Sequence, residues 1–188
     1  LRLSFIAAAA IFFVTQTGAI ETYTMDPAHC LPVFEFLHLG MTTQNGRFDR
    51  ARGNITLDTA NHAGSVFFEV DTASLNMGFG TETPESPGYH FFEVTNFPTL
   101  SFESHELFFD SDNKVIAAYG ELTLLGIKKP LTVWVSRFTC SLSPMNRKMM
   151  CAGNISATVK RSEFGMVKYI PGISDEIKVT VPVEAYKD

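Results

Sequence analysis

The run from Glu176 to Tyr186, EIKVTVPVEAY, puts Ile177, Val179, Val181 and Val183 on every second position. That period belongs to a strand with one face out of water, because strand side chains alternate and helix side chains do not. It recurs in Phe34, Phe36 and His38, in Val66, Phe68 and Val70, and in Leu100 and Phe102. Polar clusters separate the runs: Asn61 to Gly64, Asp110 to Asn113, and Ser143 to Asn146. These residue types favour turns. No long segment beyond residue 19 carries a helical period. The pattern predicts an all-β chain of eight or nine antiparallel strands, over residues 23–25, 32–39, 47–58, 65–71, a run from Thr99, 115–124, 131–142, 149–160 and 176–186. A barrel and a sandwich both fit it. A barrel of about eight strands is just wide enough to hold a ligand.

Residues 40–46 read as a polar connection bracketed by Gly40 and Gly46, and residues 126–129 and 164–174 as further connections. Gly53 within a strand marks a bulge or bend. Residues 73–96 contain Gly78, Gly80, Pro84, Pro87 and Gly88 and are too long for a hairpin loop. They are expected to form a short helical insertion, with a helix around Gly88 to Val94 anchored by Phe91 and Phe92.

Seventeen phenylalanines stand against one tryptophan. They fit either a solid aromatic core or an aromatic-lined cavity. The net charge of −5, without a basic block, argues against nucleic acid as the main partner and against a polybasic membrane contact. Leu3 to Val14 is almost wholly apolar, follows Arg2 and precedes Thr15 to Ala19. Residues 1–19 are expected to be a secretory signal peptide, too short for a comfortable membrane span, leaving a mature domain over 20–188. Loss of Arg2 takes the charge from −5 to −6. No other segment is long and apolar enough to span, so a soluble protein outside the cytoplasm is expected.

An exported protein favours disulfides. Cys140 and Cys151 flank the 143–146 turn, so paired strands could join them, a closure worth roughly 3 kcal/mol. Cys30 would then be free. The alternative is three buried thiols. No Cys or His spacing suggests a metal site. The five histidines form no HExxH or HxH pair, and no GxSxG elbow is present. His29 and His38 flank the start of one strand and read as polar groups in or at the rim of an apolar fold. Glu82 and Glu85 read as surface charges. The sequons at Asn54 and Asn154 lie within strands.

Six blocks in order resemble the YceI family of lipocalin-like periplasmic proteins, across Tyr23 to Glu184. YTMDPAHC carries Tyr23, Asp26 and His29; VFEFLHLG carries His38; NGRFDRARGNI carries Gly46, Phe48 and Gly53. HFFEVTNFPTLSFES, GELTLLGIKKPLTV and VKRSEFGM follow, the last with Arg161, Phe164 and Gly165. Two places depart: Cys30 stands where a serine often follows the first histidine, and PESPGYHFF replaces a His-Leu pair before the central phenylalanines.

The resemblance implies an extended antiparallel β-barrel around a long apolar pore. It implies an isoprenoid ligand, a polyprenyl quinone or polyprenyl phosphate, with no other cofactor. The inward rows would supply the lining: Phe34, Phe36, Phe48, Phe102, Leu122, Val133, Ile155, Val179 and Val181, with Phe91 and Phe92 from the insertion. Phe164 joins them through its motif, and His38 and Arg161 would meet a polar head. The expected role is a periplasmic carrier without catalytic activity. The alternatives are a hydrolase- or isomerase-like enzyme on a small hydrophobic substrate, using His29 or His38, and a structural protein with a solid core. A homodimer stands as one open assembly.

Overall fold

The structure, a computed structural model, describes residues 19–78 and 87–188. Residues 1–18 of the expected leader, and Glu82 and Glu85, lie outside these. Among the described residues, eleven strands form one antiparallel sheet: β1 Glu21–Met25, β2 Val33–His38, β3 Thr42–Phe48, β4 Ala51–Asp58, β5 Ala63–Asp71, β6 Leu75–Asn76, β7 Thr99–Phe109, β8 Val115–Leu124, β9 Ile127–Leu142, β10 Met149–Lys160 and β11 Glu176–Lys187. Helix α1 spans Pro87–Phe91.

The sheet closes on itself as an eight-stranded barrel because three of its staves are each built from two successive strands. β1 pairs with the end of β11 through Met25 and Ala185, and β2 pairs with its start through Phe34 and Val179. β4 pairs with β1 while β3 pairs with β2, so β3 and β4 make the next stave. β5 lies against β4, and β6 continues it against β3. Each break lets a long stave bend around the barrel.

Two expected connections are strand. Residues 42–46 belong to β3, although they carry no apolar alternation. Here Thr42 to Asn45 are exposed on both faces, so no buried row marks the strand in the sequence. The reversal sits instead at Leu39 and Gly40, both at positive φ (54° and 67°), with Met41 N–H donating to the His38 carbonyl at 3.1 Å. That is the primed turn whose twist suits a two-residue hairpin. A second such turn at Leu125 and Gly126 places Ile127 to Lys129 inside β9. Among the described residues of the insertion, α1 is one turn long, shorter than expected, and Phe92 just beyond it packs edge-on to Phe48 at 5.2 Å.

Gly46 is fixed by packing. It faces Phe34 across β2 and β3, and a Cβ there would come within 2.5 Å of the Phe34 ring and of Met77 Sδ. The ring covers the bare glycine backbone. Cys140 and Cys151 are directly opposed on β9 and β10 and form a disulfide. Cys30 remains a buried thiol; its Sγ donates to the Glu184 carbonyl and accepts from Glu184 N–H, both at 3.3 Å. Burial pushes that thiol pKa up.

Candidate functional site

The barrel interior is a cavity of about 480 Å³, within the range of small-molecule sites. Its wall follows the alternation of each strand. Ile177, Val179, Val181 and Val183 of β11 all line it, a span of about 20 Å at roughly 3.4 Å per residue. Phe34, Phe36 and Phe48 line it from the β2–β3 hairpin, Phe91 and Phe92 from the insertion, and Phe102, Leu122, Val133 and Ile155 from β7 to β10. The wall is almost wholly apolar.

His38 and Phe164 are not on the wall. For His38 the parity is shared with Phe34 and Phe36, but β2 has left the barrel by that residue, and its side chain is exposed. There it pairs with Thr42 of β3 and, in an isolated bridge, with Ile173. Phe164 is buried in a separate cluster with Leu122, Leu124 and Met166. His29 also faces water. Its Nδ1 lies 2.9 Å from Asp26 Oδ2 and 3.8 Å from Glu184 Oε2. The bond to Asp26, and then the charge of Glu184, raise its pKa. Neither histidine proposed as a base reaches the cavity.

Arg161 is the one charged residue on the wall among the described residues. It is 3% exposed, and its guanidinium is occupied by main chain. Nε donates to the Ser174 carbonyl at 2.9 Å, Nη1 to Met166 at 2.5 Å and Lys168 at 3.0 Å, and Nη2 to Ile173 at 2.9 Å. These bonds take four of the five N–H donors of an arginine. Its expected role toward a ligand head is therefore confined to a single remaining donor, and its main work is to hold the 166–174 loop. Burial lowers its pKa, and the nearby Asp175 carboxylate opposes that. The guanidinium also lies 5.8 Å from the Phe91 ring, tying the loop to the insertion.

Sequence reasoning missed Tyr23 as a wall residue. Its ring lines the cavity while its hydroxyl donates to Glu21 Oε2 at 2.5 Å, and Lys187 Nζ donates to Glu21 Oε1 at 2.6 Å. Burial and then the Glu21 carboxylate push the phenol up to about 12. The Lys187 bond, and then the Tyr23 bond, hold Glu21 below the usual carboxylate range. Val66, Phe68 and Val70 also line the wall. Their alternation with Phe67 and Glu69 was visible in the sequence, and parity alone would have added them.

Fold and cavity together define a lipocalin-like barrel built around an apolar interior. The chain belongs to the YceI-like domain family, which matches residues 23–185. It is 28% identical to a UPF0312 protein of Pseudomonas aeruginosa strain LESB58 over 182 residues, 95% of this chain and 93% of that one. The fold is shared with BcnA of Burkholderia cenocepacia, with a TM-score of 0.68 at 22% identity, over 85% of this chain and 98% of that one. It is also shared with a polyisoprenoid binding domain from Saccharophagus degradans, implicated in plant cell wall breakdown, with a TM-score of 0.58 at 14% identity, over 88% and 98%.

Proposed function

We propose that this protein is a periplasmic carrier for an isoprenoid lipid, of the polyprenyl quinone or polyprenyl phosphate type, and that it performs no catalysis. The cavity carries the proposal: its wall runs along about 20 Å of strand and presents almost no polar atom. A tail without hydrogen-bonding groups loses nothing by entering such a space, and each buried CH₂ contributes roughly 0.8 kcal/mol before the cost of immobilisation. At about 0.3 kcal/mol per heavy atom, a tail of roughly 30 carbons would contribute close to 10 kcal/mol. The polyisoprenoid binding domain that shares the fold supports the ligand class. Export is supported by the apolar run Leu3 to Val14 and by the disulfide, which suits an oxidising compartment.

Native mass spectrometry of protein purified without detergent from bacterial periplasm tests the reading. The expected result is an added mass released by organic solvent and identified as an isoprenoid, with tyrosine and tryptophan fluorescence quenched by an added polyprenyl quinone. Repeated recovery of ligand-free protein that no quinone quenches would overturn it.

A further inference from the structure

Two segments meet beside the cavity with their apolar side chains turned outward. One is the tip of the β2–β3 hairpin, the other the loop held by Arg161. Leu39 N–H donates to the Gly172 carbonyl at 2.6 Å, and Ser174 N–H to the Leu37 carbonyl at 2.9 Å. Leu37, Leu39 and Met41 are 47%, 58% and 75% exposed; Val167, Tyr169 and Ile170 are 61%, 57% and 38% exposed. Six of the seventeen exposed large apolar side chains among the described residues thus gather in two short segments. Exposed apolar patches of this kind mark interaction surfaces. Leu37 and Val167 directly follow the wall residues Phe36 and Met166, and the Tyr169 ring lies 5.9 Å from that of Phe91, so the patch borders the cavity.

The backbone underlines the arrangement. Leu39 and Tyr169 hold φ values of 54° and 64°, a region that glycine or asparagine enters at less cost. Bulky apolar side chains are kept in water there against the local preference.

Charge selects the occupant. The chain has 20 acidic residues against 15 basic ones, yet neither 36–48 nor 164–174 contains an Asp or Glu. Arg47 and Lys168 lie in these segments. Arg47 is paired with Asp49 at 2.6 Å. Lys168 stands 4.9 Å from the centre of the Tyr169 ring and has no carboxylate within ion-pair distance among the described residues. An acidic protein with an apolar, acid-free, lysine-bearing tip suits a bilayer containing anionic lipid: the side chains enter the acyl boundary and the ammonium meets the headgroups.

We infer that the patch formed by Leu37, Leu39, Met41, Val167, Tyr169 and Ile170 docks on a lipid bilayer, presenting the cavity to lipid there. This rests on the carrier reading for its purpose, and the test separates the two. Flotation with phosphatidylethanolamine vesicles containing about one third phosphatidylglycerol reads docking, and native mass spectrometry of the same samples reads cavity lipid. Wild-type protein is expected to float. A Leu39→Ser, Met41→Ser, Val167→Ser variant is expected to float about tenfold less or worse, while keeping its urea midpoint and cavity lipid. Lys168→Glu should weaken flotation with these vesicles and leave it unchanged with neutral ones. Wild-type protein that carries lipid but does not float overturns the inference and leaves the carrier reading standing. A triple variant that floats as well as wild type overturns it too. So does a wild-type dimer that the triple variant dissolves, without vesicle binding, since the patch would then serve a second copy of the chain.

Discussion

Replacing Arg161 with methionine should detach the loop that borders the cavity. The side chain keeps a similar apolar volume, but four donors disappear from the carbonyls of Met166, Lys168, Ile173 and Ser174. A hydrogen bond from a charged group contributes about 1.5–3 kcal/mol when its partner stays buried. Lys168 is exposed and Ile173 and Ser174 are half-buried, so water recovers part of the loss at those three. The net cost is expected at about 3–5 kcal/mol, in line with removing one partner of a buried polar cluster. With a urea slope of about 2 kcal/mol per M, the unfolding midpoint should fall by roughly 2 M. Arg161→Lys should recover less than half, because an ammonium cannot span carbonyls on both sides of the guanidinium fork. Hydrogen exchange adds a local readout: the Ile173 amide, bonded to the Tyr169 carbonyl at 2.8 Å, should lose protection in the methionine variant. A loss of less than about 1 kcal/mol, with that amide still protected, would refute the assignment of Arg161 as the loop's anchor.

Three further outcomes follow from the same geometry. Ala118 is 2% exposed and lines the cavity opposite Val133, so Ala118→Phe should fill space that a ligand would use. Lipid recovered by solvent extraction should drop several-fold with less than about 1.5 kcal/mol of stability lost; unchanged lipid would mean the ligand lies elsewhere. Cys140→Ser with Cys151→Ser removes a closure spanning 11 residues and should cost about 2–3 kcal/mol in urea unfolding; no change between oxidised wild type and the double variant would deny the bond a stabilising role. The bond to Asp26 raises the His29 pKa from 6.5, so its stabilisation is complete below that value and fades as pH rises through the raised one. The same bond lowers the Asp26 pKa from 3.8, so that contribution is lost only in acid. The stability gap between wild type and His29→Gln, followed upward from about pH 5, should therefore narrow; a gap independent of pH would contradict the pair.

Much of the wall could be read from parity. Phe34, Phe36, Phe102, Val179 and Val181 alternate with residues that tolerate water, and closure of the sheet turns that face inward. The same rule misplaced His38, because parity says which way a side chain leaves a strand and not whether the strand is still in the barrel there. β3 escaped notice for a related reason: most of its length buries neither face, so it leaves no hydrophobic period. Arg161 read as a head-group donor because its partners are carbonyls of four residues 5 to 13 positions along the chain, and main-chain acceptors carry no sequence signature.

The sequence by itself determined an antiparallel β-protein with one apolar face per strand, the separation of its turns and the family to which it belongs. Those properties are local, repeating with period two or confined to a few adjacent residues. Only the tertiary structure decided that eleven strands make eight staves, that the aromatic face encloses a cavity and not a solid core, and that two distant loops share one exposed apolar tip. Each depends on which edges meet when the sheet closes, a long-range condition that period-two alternation satisfies in a barrel and in a sandwich alike.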